Sequence, residues 1–413
     1  MSLAPLLVVG YTHVLMDLLS DLVPPDSVTV IEEPDVISRR HLEDAPGRHP
    51  CLREVVPGSY QSRHWPAPGD LTASLVPEAV GVLPASEYAV PAAARLASAR
   101  GLPGAGPRAA HLLRNKDALR ARMEGYVAQP AWTCPVSEEE LTVFAQEQGG
   151  SVVLKPTNGQ ASAGVLRCDD LADMLQHRAA FQDFSDDPLR SASIERPRLL
   201  AEQRLHGPEY SVECLVRNGN PIFTNITAKS VAPGMHPVEL GHVAPAPISR
   251  DLEERLHTSM ARLIRLTRVH TAVLHAEWIV QEDVPHLIEC AGRLPGDNIT
   301  TLVADAWGFD FVRAWVTLLC GEVSHLPAAP RAAAAIWFLS ADEGTVASVN
   351  GIEDATSLPG IRETVVDVKP GDRTDGLRSS WARVGHIMAT GPTARTATAA
   401  AQHAATLVTV AVE

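Results

Sequence analysis

The chain has no CxxC pair. Its six cysteines, Cys51, Cys134, Cys168, Cys214, Cys290 and Cys320, are scattered through 413 residues, which argues against both structural zinc and a disulfide framework and predicts a reducing, cytoplasmic setting. No GxGxxG follows the first strand-like run, LLVVG, and no loop ends in GK[ST], so the dinucleotide fingerprint and the Walker A cradle are both missing. No apolar run approaches the roughly 18 residues that span a bilayer, and no basic leader precedes LLVVG, so an unexported protein without membrane contact is expected. Positive charge is also scarce. Thirty-five lysines and arginines against 49 acids give a net charge of -14, which excludes nucleic acid or an anionic membrane as the main partner.

What remains is an ordinary globular composition, 45% hydrophobic and 20% charged, long enough for two or three domains. The 32 prolines read as compositional bias. Leu6 to Gly10, a helical pattern from Val14 to Leu22 and Ser27 to Ile31 form a β-α-β opening. Residues 40 to 70 read as loop-rich, Ala79 to Leu83 as a strand and Val90 to Arg100 as a helix. One charged amphipathic helix is expected from Pro107 to Gly125, with Lys116 either solvated or functional. SVVLK, ending at Lys155, runs into a loop of small residues in which Gly159, Ser162, Ala163 and Gly164 make either a turn or an anion-binding concavity. Strands follow at Arg198 to Gln203, Glu209 to Val216 and Phe223 to Lys229. A loop from Val231 to Ser249 then carries Glu239 and His242, and an amphipathic helix uses Leu252, Leu256, Met260, Leu263 and Ile264. Beyond Arg331 a strand, a GTVASVNG turn, a second strand, an Ala-rich helix and a last strand complete the chain. No internal repeat is evident.

The densest stretch is Leu274 to Asn298. Two alternating runs flank a polar QEDVP turn, and a hairpin centred on Asp283 sets Glu277 opposite Glu289. Facing carboxylates repel. Either this is a solvated edge, or a hard divalent cation shared with phosphates sits between the acids, with Arg293 leaving the same face. Asp297 is placed to cap a helix from Asn298 to Trp307.

In order along the chain, Lys116, VLKP with Lys155, GQASAGV, AEQRLHGPEYSVE, AEW and IECAGR together resemble the ATP-grasp ligase superfamily. VELGHVAPA with IECAGRLPGDN resembles most its L-amino-acid (dipeptide-forming) ligases and related carboxylate-amine ligases of natural-product pathways. The resemblance implies an α/β fold, α+β in the ATP-binding part. It divides the chain into an open N-terminal α/β domain (1–110), a lid with the phosphate loop (111–198), a large subdomain with hinge and metal site (199–330) and a C-terminal α+β region (331–413). It implies that Lys116 and Lys155 bind ATP phosphates and that the loop from Thr157 to Gly164 closes over them. The hinge of Glu202, Gln203, Arg204 and Leu205 would hold adenine, and Glu209 the ribose. Glu277 and Glu289 would carry Mg2+, with Mn2+ as a substitute, and Lys229 would reach the transferred phosphate.

By the same resemblance, ATP phosphorylates a carboxylate and an amine attacks the acyl-phosphate, releasing ADP and phosphate, with amino acids as substrates. Arg293 would then stabilise the oxyanion, or else hold Glu289 by a salt bridge. Glu239, His242, Gly296 and Asp297 would shape the amino-acid site, unless the first two only cap backbone and Asp297 only caps its helix. An acid at 297 would favour a cationic substrate. Ala291 replaces the asparagine that many ATP-grasp enzymes have two residues after the second metal carboxylate, which the dipeptide-forming subgroup tolerates. Alternatives are transfer of the acyl group to a carrier-protein thiol, or a non-catalytic nucleotide-binding subunit. A homodimer is compatible with the resemblance.

Overall fold

In the computed structural model of the protein, the described residues are 3–62, 75–177, 187–194 and 196–413. The opening β-α-β unit is part of a four-stranded sheet. Leu6–Val9 runs parallel to Val28–Glu32 on one side and to Gly81–Pro84 on the other, and Leu52–Pro57 adds to Val28–Glu32. All four residues of the central strand are buried, as a strand covered by helices on both faces requires. The loop-rich reading of residues 40 to 70 misses Leu52–Pro57; its last residues, 63 to 70, lie outside the described residues.

The expected helix over Pro107 to Gly125 is two helices, Pro107–Arg114 and Lys116–Met123. Asn115 between them is extended, with φ -115° and ψ 107°, so Lys116 opens the second helix, where its backbone N–H donates to Thr157 O. A second four-stranded sheet follows, in which Val152–Pro156 lies between Leu166–Cys168 and Leu199–Gln203, and Trp132–Thr133 takes the outer edge. The helix Glu138–Glu147 covers it, capped by the Ser137 side chain, which accepts from Glu140 N.

The centre is an eight-stranded sheet that is antiparallel at every pairing. From one edge its strands are Val284–Ala291, Ala272–Gln281, Glu209–Arg217, Asn220–Val231, Glu239–Ala244, Ala333–Leu339, Gly385–Gly391 and Ile361–Val366. Two stretches read as loop or turn are therefore strands. Glu239–Ala244 lies inside the expected loop, and GTVASVNG belongs to Glu343–Asn350, which pairs with Arg373–Asp375 and Thr409–Val412. Arg250–Thr267 lays Leu256, Met260, Leu263 and Ile264 on the large sheet, each fully buried side chain of this kind contributing about 1.5–3 kcal/mol. All six cysteines are free.

Candidate functional site

The two four-stranded sheets and the eight-stranded sheet border a cavity of about 580 Å3. Lys116, Lys155, Gly159, Ser162, Ala163, Glu202, Gln203, Arg204, Leu205, Glu209, Lys229, Glu239, His242, Glu277, Glu289, Arg293, Gly296 and Asp297 all line it. Gly164 does not, but it shapes the loop: Ala161, Ser162 and Gly164 all have left-handed φ, a conformation used to turn backbone N–H groups toward an anion. Gly159 is held to glycine by space, since a Cβ there would meet Pro156 Cγ at 2.4 Å. At the hinge a Cβ on Gly207 would lie 1.9 Å from Val280 O, so the hinge backbone rests directly on the strand that carries Glu277.

Glu277 and Glu289 are paired in register, as expected, though by a different route. The turn is the two residues Glu282 and Asp283, both with positive φ, the geometry that matches strand twist. Such a turn alone would put Glu277 opposite Ile288. A bulge between Glu277 and Trp278 shifts the ladder by one and brings Glu289 into place. Arg120 Nη2 donates to the Ile288 carbonyl at the bulge, 2.7 Å.

Cations already balance this pair. Lys116 Nζ is 2.8 Å from Glu289 Oε2, and Lys229 Nζ is 2.7 Å from Glu277 Oε1 and 3.1 Å from Glu239 Oε1. Burial and the facing Glu277 oppose ionisation of Glu289, but Lys116 outweighs them and holds its carboxyl below the usual range. Burial likewise opposes the charge of Glu277, and Lys229 with His275 holds it well below. Burial alone would lower Lys229; the carboxylates of Glu277, Glu239 and Glu209 raise it well above an ordinary lysine. Three carboxylates thus face two ammoniums. Glu277 Oε2 and Glu289 Oε1 have no hydrogen-bond partner among the described residues. That surplus of hard oxygen fits a divalent cation whose remaining ligands come from phosphate and water, since no group of three or more metal-ligating side chains occurs among the described residues.

The hinge acid Glu202 is spent internally. Its side chain takes Arg120 Nε and Lys155 Nζ, each at 2.7 Å, with all three groups nearly inaccessible. The triad leaves one net positive charge beside the small-residue loop. Burial is the main influence lowering Lys155, and Glu202 works against it. Glu209, expected from the sequence to hold a ribose, accepts from Arg167 Nη2 at 2.7 Å, and burial raises its pKa.

Arg293 leaves the hairpin toward the N-terminal domain instead of toward Glu289. Its Nε pairs with Glu87 Oε1 at 3.0 Å and its Nη1 donates to Leu294 O at 2.6 Å, so Nη2 has no partner among the described residues. Glu239 accepts from Lys229 and from Ser380 Oγ. Asp297 caps no helix. Ile299–Trp307 has Asn298 at its N-cap position, left-handed and without a side-chain bond. Asp297 accepts instead from Arg383, Nη1 at 3.1 Å as well as Nη2, and lies 3.0 Å from His242 Nε2. These partners overcome burial and hold its carboxyl far below the carboxylate range. An acid so matched has no charge left for a cationic substrate. Asp297→Asn is therefore expected to leave any preference between neutral and cationic amino acids unchanged. It should cost roughly 1–3 kcal/mol of stability, read from the urea midpoint; a switch of preference would restore the selectivity role.

Several residues escaped the sequence reading. His275 bridges Glu213 at 3.0 Å and Glu277 at 3.2 Å; burial would lower it, but the two carboxylates push it up to about 9, so it is charged at neutral pH and holds Glu277 in place. Alternation carried the signal, because Glu213 and His275 are directly paired across neighbouring strands. Arg383 comes from the distant C-terminal region and stacks 3.6 Å over Phe338; no local pattern announces it.

Against known proteins, a family model described as "ATP-grasp domain" matches residues 149–301, and one described as "L-amino acid ligase C-terminal domain 2" matches residues 337–413. The uncharacterised protein y4rH of Sinorhizobium fredii (strain NBRC 101917 / NGR234) is 27% identical over 328 residues, 78% of this chain and 66% of that protein. Alanine--anticapsin ligase of Bacillus subtilis (strain 168) is 23% identical over 245 residues, 55% of this chain and 51% of that protein. The chain thus spans between half and two thirds of these curated relatives. The crystal structure of L-amino acid ligase from Bacillus licheniformis superimposes with a TM-score of 0.77 at 19% identity, covering 99% of this chain and 98% of that one, which establishes the shared fold.

Proposed function

We propose, from a chain that carries an ATP-grasp domain followed by a C-terminal domain of the L-amino acid ligase type, that it is an ATP-dependent carboxylate-amine ligase joining amino acids or amino-acid-like substrates. The observation that carries this reading is the acid pair of the hairpin facing Lys116, Lys155 and the small-residue loop across one cavity. Phosphoryl transfer needs charge neutralisation and alignment more than covalent help. Lys116 and Lys155 would hold the terminal phosphates, the hinge from Glu202 to Leu205 the adenine, and Glu209 the ribose. Magnesium, or manganese in its place, would be held by Glu277 and Glu289 and would neutralise charge on those phosphates. Lys229 would move from carboxylate to phosphate as the donor carboxylate becomes an acyl-phosphate. Arg293 Nη2 would then meet the oxyanion formed when the amine attacks.

Incubation with ATP, magnesium and pairs from an amino-acid panel tests the reading. Phosphate release and a new amide are expected only with matching pairs. Release without amide, together with added mass on a carrier protein, would favour a thiol acceptor; no release across the panel with nucleotide still bound would leave a binding subunit. Arg293→Ala is expected to lower kcat roughly 100- to 1,000-fold with ATP affinity unchanged, and near-normal turnover would remove the oxyanion role.

A further inference from the structure

One wall of the cavity lies outside the groups assigned above to nucleotide and metal. Thr12, His13 and Arg40 line it from the N-terminal domain. The helix His13–Ser20 and the segment that follows Arg293 line the same cavity, and Leu15, Leu294 and Ile299 belong to one core cluster beneath it.

A chain of polar groups fixes the His13 ring. The Asp17 carboxylate can only accept, so His49 Nδ1, 2.8 Å away, donates to it. In a neutral His49 the other nitrogen, Nε2, is then an acceptor, and it takes the Tyr11 hydroxyl proton at 2.7 Å. Tyr11 has no second proton, so its oxygen accepts from His13 Nδ1 at 2.9 Å. His13 Nδ1 also lies 3.3 Å from His49 Nε2, within the same cluster. What is left is His13 Nε2, a bare lone pair without a partner among the described residues.

Arg40 stands on the same tyrosine. Its guanidinium carbon is 5.3 Å from the Tyr11 ring centre and Nη1 donates to Tyr11 O at 2.9 Å, yet it has no salt bridge among the described residues. The nearby Glu32 carboxylate is committed to the Tyr11 and Glu33 backbone N–H groups.

We propose that this wall seats the incoming amine, an α-amino acid with a free carboxylate, with His13 Nε2 accepting a proton from its ammonium and Arg40 holding its carboxylate. The assignment rests on the ligase reading. The ammonium N–H bond breaks and its proton goes to Nε2. The freed lone pair forms the C–N bond at the acyl carbon, the C–O bond to phosphate breaks with its electron pair, and the second amine proton leaves with phosphate. The groups facing His13 suit that task. Burial, then Arg40, His49 and Arg48, lower its pKa, and Asp17 opposes them, which favours the neutral ring that can accept a proton.

Hydroxylamine separates the two halves of the reaction, because it is an unprotonated nucleophile near neutrality and captures an acyl-phosphate without a proton acceptor. With full-length protein, ATP, magnesium and a donor amino acid, His13→Gln is expected to lose amide formation about 100-fold at pH 7 while hydroxamate formation persists. The deficit should shrink as rising pH deprotonates the amine in solution. Arg40→Gln is expected to raise KM for the acceptor amino acid roughly tenfold or more without changing KM for its decarboxylated counterpart. Equal loss of amide and hydroxamate in His13→Gln, or unimpaired amide formation, overturns the assignment. No hydroxamate from the unaltered protein with any donor overturns the ligase reading itself, which tells the two failures apart.

Discussion

Glu289→Ala is expected to lower turnover at least ~1,000-fold, the several kcal/mol that a divalent clamp on a transferring phosphoryl group supplies, while the protein stays folded. The fold should survive because the mutation removes a repulsion as well as an attraction. Glu289 faces Glu277 across the hairpin, and its one ionic partner among the described residues, Lys116, remains next to the small-residue loop with a hydrogen bond to Gly159 O at 3.3 Å. The loss belongs to chemistry because Glu289 and Glu277, facing each other, each keep an oxygen without a partner among the described residues. Glu289→Asp keeps the charge but withdraws it by one methylene and should fall between the two. Donor-dependent phosphate release at saturating magnesium, with circular dichroism as the folding check, reads the result. Turnover close to that of the unaltered protein would sink the metal assignment for this residue.

Glu202→Gln should act on both stability and nucleotide binding. The neutral amide leaves Arg120 and Lys155 as two buried cations without their shared anion, and breaking a buried pair of this kind costs about 3–5 kcal/mol. Arg120 already has Nη1 without a partner among the described residues, so it has little to fall back on. Lys155, lowered by burial even now, loses the carboxylate that opposes burial; a lysine that sheds its proton cannot hold phosphate. Both the unfolding midpoint and ATP affinity should drop, and affinity should fall further as pH rises. A stable variant with normal ATP binding would show that Lys155 holds its charge without Glu202.

The residues that meet in the cavity were legible in the sequence because each sits beside a local signal: a lysine closing a strand, a loop of small residues, a carboxylate on an alternating run. The acid pairing was legible too, but for an incomplete reason. Sequence placed the turn at Asp283, whereas the chain turns on Glu282 and Asp283 together and regains the register with a bulge. A bulge depends on what the backbone meets, here Arg120 from a helix more than 160 residues away, and alternation does not encode that. Asp297 illustrates the other limit. Its position suits a helix cap, yet Arg383 and His242 claim it, a tertiary contact overriding a local preference. Glu239–Ala244 was hidden by its flanking prolines and glycines, which suggest a loop when the partner strands are unknown.

The eight-stranded sheet has a consequence for how this protein can be divided. Its ladder passes from the acid hairpin through the His242 strand straight into Ala333–Leu339, so the C-terminal region beyond residue 330 is not an appendage hung from a linker. A chain cut near residue 330 would leave Glu239–Ala244 as a raw edge with open N–H and C=O groups, an invitation to pair with any other strand. The minimal soluble fragment that keeps His242 in position therefore includes the C-terminal strands. Exchanging that region for a relative's means matching a seam of backbone hydrogen bonds, and its junctions are better placed in turns than at the boundary between the two family matches.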